Sequence, residues 1–335
     1  MILVTGATGL VGGNLCWHLL QENEQITAIY RSSGNLKALN TIFSFYTSEP
    51  EKYTARINWK QGDILDIDSI REAIKGATTI YHCAAMVSLG NSADILLDTN
   101  VTGTRNIVKL SIEAGIQRFC FVSSIAACGK EDQNKIIDEN SKWVENPNRS
   151  LYSRSKYYSE QEVWEGIRQG LKAVIVNPGV ILGLSANGNG SSQLFSQVQK
   201  GLQFYTNGGS GYVAVQDVVK AMIQLTNSDI SGERFILVAE NCSNKNILSW
   251  IADGFGKRRP FIPIGRKLLW TIGLISEILG KIFHFRPLLD RRTARSATNR
   301  EFYSNQKIKQ TINFEFTPIS KCIENVCKFQ LKRMK

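Results

Sequence analysis

Apolar runs alternate with amphipathic stretches over the first half of the chain. "MILVTG" is a short apolar run closed by glycine and reads as a strand, and "LVGGNLCWHLLQE" follows it with helical spacing. "QITAIYR", "RINWKQGDI", "ATTIYHCAA" and "QRFCFVSSIAA" read as further strands, with "DSIREAIKG" and "DTNVTGTRNIVKLSIEAG" as helices between them. A polar loop holding Pro147 leads to a helix containing "SLYSRSKYYSEQEVW", and then to one more strand, "LKAVIVNPGVILG". Strands separated by helices are the signature of βαβ units. Right-handed crossovers then give an α/β fold, a doubly wound (Rossmann) parallel sheet.

After Gly183 the pattern loosens. "LSANGNGSS" is a loop, "AVQDVVKAMIQLTN" a helix and "ERFILVA" a strand, and from Asn246 onward mostly helical, basic segments follow. The expected organisation is a nucleotide-binding domain over 1–183, with 211–240 returning to it. Residues 184–210 and 241–335 then form a smaller, discontinuous C-terminal substrate lobe. Within that lobe "KLLWTIGLISEILGKIFHF" stands out. On a helix, Leu268, Ile272, Ile275, Leu279 and Ile282 share one face, and Gly273, Ser276, Glu277 and Gly280 form a narrow opposite strip. Glu277 and Lys281 interrupt the run, which argues against a membrane span. One reading is a core or lid helix. The other is an interfacial helix flanked by Arg258, Arg259, Arg266, Lys267 and Arg286, touching anionic lipid through 266–286.

Composition narrows the class. The chain has 335 residues, 43% hydrophobic and 21% charged, as folded proteins do. Its seven cysteines show no C-x-x-C spacing and its three histidines lie far apart, so neither a zinc site nor a disulfide framework is expected. Charge is segregated: residues 257–335 carry 18 Lys and Arg against 5 Asp and Glu, whereas the whole chain has a net charge of +11. Such a region suits an anionic partner or is simply a solvated basic face. The basic residues are scattered among apolar ones without a recognised motif, which argues against a nucleic-acid partner. The first strand begins at Ile2, leaving no room for a signal peptide. The expected location is cytoplasmic, at the cytoplasmic face of a membrane if the interfacial reading holds.

The candidate chemistry begins in "TGATGLVGG". Gly6, Gly9 and Gly12, with Thr8 and Leu10 between them, join the first strand to the first helix. Glycine lets backbone N–H groups approach a pyrophosphate, and the helix N-terminus adds partial positive charge. About 20 residues further on, where NAD-binding chains carry an acidic residue, stands Arg31, followed by Ser32 and Ser33. A cation beside hydroxyls suits a 2′-phosphate, so the expected cofactor is NADP, with NAD as the alternative. Tyr152 and Lys156 are four residues apart, but so are Tyr303 and Lys307. Spacing therefore does not decide between them, and context must.

With "TGATGLVG", "GDILD", "HCAA", "NVTGTRNIV", "VSSIAA", "YSRSK" and "NPGVILG" in order, the chain resembles the extended short-chain dehydrogenase/reductase family, including the NAD-dependent epimerase/dehydratases. The resemblance implies that Asp63 and Ile64 flank the adenine and that His82, Ala84 and Ala85 line the dinucleotide groove. It implies that Asn100 helps organise the active site and that Ser124, rather than its neighbour Ser123, binds the substrate oxygen. Tyr152 would transfer the proton, Lys156 would hold the nicotinamide ribose, and Asn177, Pro178, Gly179 and Val180 would pass beside the nicotinamide. Physical chemistry agrees: a tyrosine with an ordinary pKa of about 10 needs a nearby cation to serve as an acid–base group. Tyr152 and Lys156 share a helical face.

Family dehydratases carry an Asp-Glu pair after the serine, whereas Ile125-Ala126 stand here. Apolar residues of the last lobe, Trp270, Ile272, Leu274, Phe283 and Phe285, suggest a hydrophobic substrate. "RRTARSATNREFYSNQKIKQ" is similar to the subgroup of dihydroflavonol reductases and 3β-hydroxysteroid dehydrogenases. The expectation is an NADP-dependent carbonyl reductase or alcohol dehydrogenase acting on a small molecule. The alternatives are a nucleotide-sugar epimerase and a non-catalytic dinucleotide sensor. Family members often dimerise, so a homodimer is also in view.

Overall fold

The computed structural model describes residues 1–31, 36–87, 93–129, 136–146, 149–185, 190–282 and 297–334. Twelve strands are present among them: β1 Ile2–Thr5, β2 Ile26–Tyr30, β3 Ile57–Gln61, β4 Thr79–His82, β5 Arg118–Val122, β6 Ala173–Pro178, β7 Val180–Leu182, β8 Phe204–Thr206, β9 Gly209–Ala214, β10 Glu233–Leu237, β11 Glu240–Ser243 and β12 Ile262–Ile264. Seven form one sheet in the order β10-β6-β5-β4-β1-β2-β3. Every pairing in it is parallel. The order reverses between β1 and β4, which opens the ligand crevice of a doubly wound sheet at the strands' C-terminal ends.

Parallel strands are covered by helices on both faces, so they are apolar without alternation. Strand β6, with the sequence AVIVNP, is buried at every position. One face packs around Leu15, Leu19, Val218, Met222 and Leu225, and the other around Ile70, Ile107, Leu110 and Val163. The run "LKAVIVNPGVILG", expected as one strand, is two. A Cβ at Gly179 would stand 2.4 Å from Gly211 O. Backbones meet at that glycine, and the chain leaves the large sheet to enter a small one, β11-β9-β7.

The lobes interleave more finely than the sequence suggests. In the returning segment, the helix Val215–Asn227 and β10 pack on the large sheet, but residues 211–214 belong to β9 of the small sheet. The C-terminal region returns as well, because Ile308 and Phe314, 0% and 3% exposed, join the core of the lobe built on the large sheet. The second lobe has its own core around Phe195, Tyr212, Ile247, Ile251, Ile323 and Val326. Among the described residues no helix is long and apolar enough to cross a membrane.

Candidate active site

The turn after β1 is shaped by close backbone contact. Gly6 has φ +67°, and a Cβ there would lie 2.6 Å from Ala84 N, so both conformation and space demand glycine. At Gly12 a Cβ would meet Gly6 O at 2.2 Å. Gly9 caps the helix Leu10–Glu22 without a side-chain hydrogen bond, and the first turn carries no acidic residue. Thr8 and Leu10 are half-buried beside it. The result is a cradle of backbone N–H groups at a helix N-terminus, which fits the pyrophosphate of a dinucleotide.

Ser124 follows the end of β5 and caps a short turn, its Oγ accepting from Ala126 N at 3.1 Å. Ala126 O in the same turn accepts from Ser153 Oγ, which joins the turn to the next helix. Tyr152 lies in the first turn of the helix Leu151–Arg168, which Ser150 caps by accepting from Ser153 N at 3.0 Å. Burial raises the Tyr152 pKa, and the Ser124 hydroxyl partly offsets this. One turn on, Lys156 is 3% exposed. Its ammonium donates to Val122 O at 2.8 Å and lies 5.2 Å from the Phe121 ring centroid. Burial pulls the Lys156 pKa down to about 8, against smaller opposing effects of Cys83 and Glu160. Ser123 is turned inward, 4% exposed, and donates to Glu160 Oε2 at 2.6 Å. A serine hydroxyl at the strand end, and a phenol with a buried ammonium one helical turn further on, are groups that can move a proton to or from a bound oxygen.

Three groups named from the sequence hold the site and do not line it. Asn100 is 1% exposed and its amide is committed to scaffold: Nδ2 donates to Met86 O and to Ser155 Oγ, both at 2.9 Å, and Oδ1 accepts from Met86 N at 2.7 Å. It is a positioning residue, tying the loop after β4 to the Tyr152 helix. His82, expected to line the groove, is 0% exposed beneath it. Its Nδ1 pairs with Thr5 Oγ1 at 2.7 Å and its Nε2 with Thr104 Oγ1 at 3.1 Å. Thr104 gives its own proton to Asn100 O at 2.6 Å, so His82 Nε2 is the donor toward Thr104. Burial, and secondarily Lys156, hold the His82 pKa down at about 3, so the ring is neutral. Ile64, expected beside the adenine, is 8% exposed, its side chain packed where a Cβ on Gly103 would collide with it.

The remaining candidates sit at the crevice edge or just beneath it. Arg31 is exposed at the end of β2, while Ser32 and Ser33 lie outside the described residues. Asp63 is half-buried, its carboxylate accepting from Leu65 N at 3.0 Å, and Ala84 and Ala85 are half-buried after β4. Asn177, Pro178 and Gly179 are buried, and Val180 is half-buried. Asn177 Nδ2 donates to Ser124 O at 3.0 Å and to Glu160 Oε2 at 2.8 Å. The competing pair separates: Tyr303 OH donates to Glu301 Oε2 at 2.7 Å, and Lys307 donates to Glu233 and Arg234 O. Tyr303 precedes the helix Gln306–Ile312 that carries Lys307, so the two share no helical face.

Sequence reasoning missed Glu160. It is 1% exposed and its carboxylate accepts four hydrogen bonds, from Ser123, Asn177, Trp164 Nε1 at 3.3 Å and Arg234 Nη1 at 3.1 Å. It joins the Tyr152 helix to the ends of β5 and β6 and to β10. A signal was available, since Tyr152, Lys156 and Glu160 follow one another at i, i+4 and i+8 on one helical stripe.

Known proteins agree with this architecture. Sterol demethylase protein B of Methylococcus capsulatus is 31% identical over 301 residues, covering 88% of this chain and 84% of that protein. A putative dihydroflavonol 4-reductase of Synechocystis is 30% identical, covering 82% of this chain and 78% of the relative. The crystal structure of gox2253 superposes with a TM-score of 0.81 at 25% identity, covering 99% of this chain and 98% of that one. The model of the NAD dependent epimerase/dehydratase family matches residues 2–237, which is most of the chain, and the chain belongs to that family of NAD(P)-dependent oxidoreductases and epimerases.

Proposed function

We propose that the protein is an NADP(H)-dependent carbonyl reductase or alcohol dehydrogenase acting on a hydrophobic ketone or alcohol. The observation that carries this reading is the helix that holds Tyr152 and the buried Lys156 one turn apart and is tied to the Ser124 turn through Ser153 and Ala126. The Gly6–Gly12 turn would hold the pyrophosphate, Arg31 the 2′-phosphate and Lys156 the nicotinamide ribose. When bound, the nicotinamide supplies or takes up the hydride. Ser124 Oγ orients the substrate oxygen, and Tyr152 gives that oxygen its proton in reduction and removes it in oxidation. Burial favours the protonated phenol, and positive charge on Lys156 lowers the cost of the phenolate once the proton has left. Asn100 and Glu160 keep the helix and strand ends in register for this transfer.

The substrate class rests on other observations. Ile125-Ala126 stand where an acid pair would support dehydration. Val87, beyond the loop that Asn100 fixes, is 60% exposed and adds apolar surface after β4. The two named relatives refer to a sterol and a dihydroflavonol. Trp270 and Ile272, cited from the sequence as an apolar cap, are instead 46% and 40% exposed, and Phe283 and Phe285 lie outside the described residues.

The test mixes the chain with NADPH and a panel of apolar aldehydes, ketones, sterols and nucleotide sugars, following absorbance and identifying products. NADPH consumption with an apolar carbonyl is expected. Tyr152→Phe should cut kcat about 10²- to 10⁴-fold while leaving NADPH affinity unchanged. Unchanged turnover in Tyr152→Phe would remove its proton role. Tighter binding of NADH than NADPH would overturn the Arg31 assignment, and epimerised sugars without net oxidation would replace the reductase reading.

A further inference from the structure

We propose that the helix Arg266–Ile282, with the basic segment leading into it, docks the protein on an anionic phospholipid surface. Apolar periodicity shows that this helix has a greasy face, and the structure shows which way it points. Leu269 is 6% exposed and Gly273 is buried, so this strip anchors the helix to the body. The line Leu268, Ile272 and Ile275, at i, i+4 and i+7, is 56%, 40% and 51% exposed. Thr271, the hydroxyl on the outward side, donates to Lys267 O at 3.0 Å and leaves that side less polar than its composition suggests. Branched aliphatic side chains lined up in water on an anchored helix mark a contact surface.

Charge selects the occupant. Between Gly254 and Ser276 the chain carries Lys257, Arg258, Arg259, Arg266 and Lys267 and no Asp or Glu. All five are exposed. Arg259 is engaged bidentately by Asp253 at 2.7 and 2.9 Å, which leaves four cations around the start of the helix. Arg258 lies 4.2 Å over the ring of Phe261, itself 47% exposed, so a cation and an apolar ring are presented together. A second copy of this chain would bring like charges together across a two-fold interface. An anionic bilayer satisfies both features, with headgroup phosphates meeting the cations and the acyl boundary taking up Leu268, Ile272 and Ile275. Among the described residues the helix is not long and apolar enough to cross a membrane, and the proposal lays it in the plane of the interface.

The test is co-sedimentation of the full chain with vesicles of phosphatidylcholine alone or mixed equally with phosphatidylglycerol, at low and high salt. Binding is expected only to the mixed vesicles and should weaken as salt screens it. Arg266→Gln with Lys267→Gln should lower the partition coefficient about 30-fold. The triple variant Leu268→Gln, Ile272→Gln, Ile275→Gln should abolish sedimentation with an unchanged urea midpoint, since all three positions are exposed. Absence of binding to mixed vesicles at low salt overturns the proposal. So does a triple variant that still binds, which would mean charge contact alone. A wild-type dimer that the triple variant converts to monomer would assign the face to a second copy.

Discussion

Removing the Glu160 carboxylate should destabilise the fold and misplace the active-site strand ends. Glu160 is 1% exposed and the Arg234 side chain 18% exposed, so the pair is buried on one side and partly wetted on the other. Breaking a buried pair by deleting one partner costs about 3–5 kcal/mol. Arg234 would still donate to Glu139 O at 2.9 Å, and Asn177 to Ser124 O at 3.0 Å. Ser123 and Trp164 would lose the partner they have here. These residual bonds place Glu160→Ala at the low end, about 3 kcal/mol. With a urea m-value of about 3 kcal/mol/M for a chain of this size, the midpoint should fall by about 1 M. Glu160→Gln keeps the shape and an acceptor and should cost about half as much. Combining Glu160→Gln with Arg234→Met removes both charges, and its loss should fall short of the summed single losses by about 1 kcal/mol or more. Because Asn177 and Ser123 flank Ser124, kcat should drop about tenfold in Glu160→Gln while NADPH affinity holds. A loss below about 1 kcal/mol in Glu160→Ala, or strict additivity in the double variant, would refute the reasoning.

Gly6→Ala should abolish NADPH binding, measured by fluorescence titration. The new Cβ would press on Ala84 N at φ +67°, a strain of about 1–3 kcal/mol that also lowers the melting temperature; normal affinity would show that the turn relaxes freely. For Lys156 the folded pKa of about 8 lies below the ordinary 10.5, so folding disfavours its proton. Below about pH 8 the buried charge opposes the fold in full, and between there and about pH 10.5 only the unfolded chain keeps the proton. Wild type should therefore gain stability relative to Lys156→Met as pH rises through that window, by up to about 3 kcal/mol in urea melts. A pH-independent difference would mean that the ammonium is not desolvated.

The elements that position the site were legible where their cause is local. The glycine turn and the parallel strands follow from patterns within a few residues, and the structure returns them in the expected order. What distance along the chain hides is different in kind. Glu160 and Arg234 are 74 positions apart, and only the β6–β10 pairing brings them together. The break at Gly179 depends on Gly211, in another strand. Periodicity gave the outer helix a face but could not say what covers it, and Leu269 and Gly273 rather than the aliphatic line meet the body. The choice of Ser124 over Ser123 has a local cause, since neighbours on extended backbone point to opposite sides: Ser123 turns inward to Glu160 and Ser124 stays half-buried.

The stripe Tyr152, Lys156 and Glu160 also explains why a lysine can sit so deep without being locked in an ion pair. Tyr152 is half-buried at the crevice, Lys156 is 3% exposed and Glu160 is 1% exposed, so polarity descends into the protein along one side of one helix. A carboxylate one turn below an ammonium would ordinarily pair with it and hold its proton far above neutral pH. Here Glu160 is taken by Arg234, Ser123, Asn177 and Trp164, and Lys156 turns to a carbonyl, Val122 O. Desolvation then outweighs the remaining attraction of Glu160 and leaves the ammonium near the edge of titration. A group so placed responds to charge that appears beside it, which is what the proposed reaction, with Tyr152 alternating between phenol and phenolate, requires of Lys156.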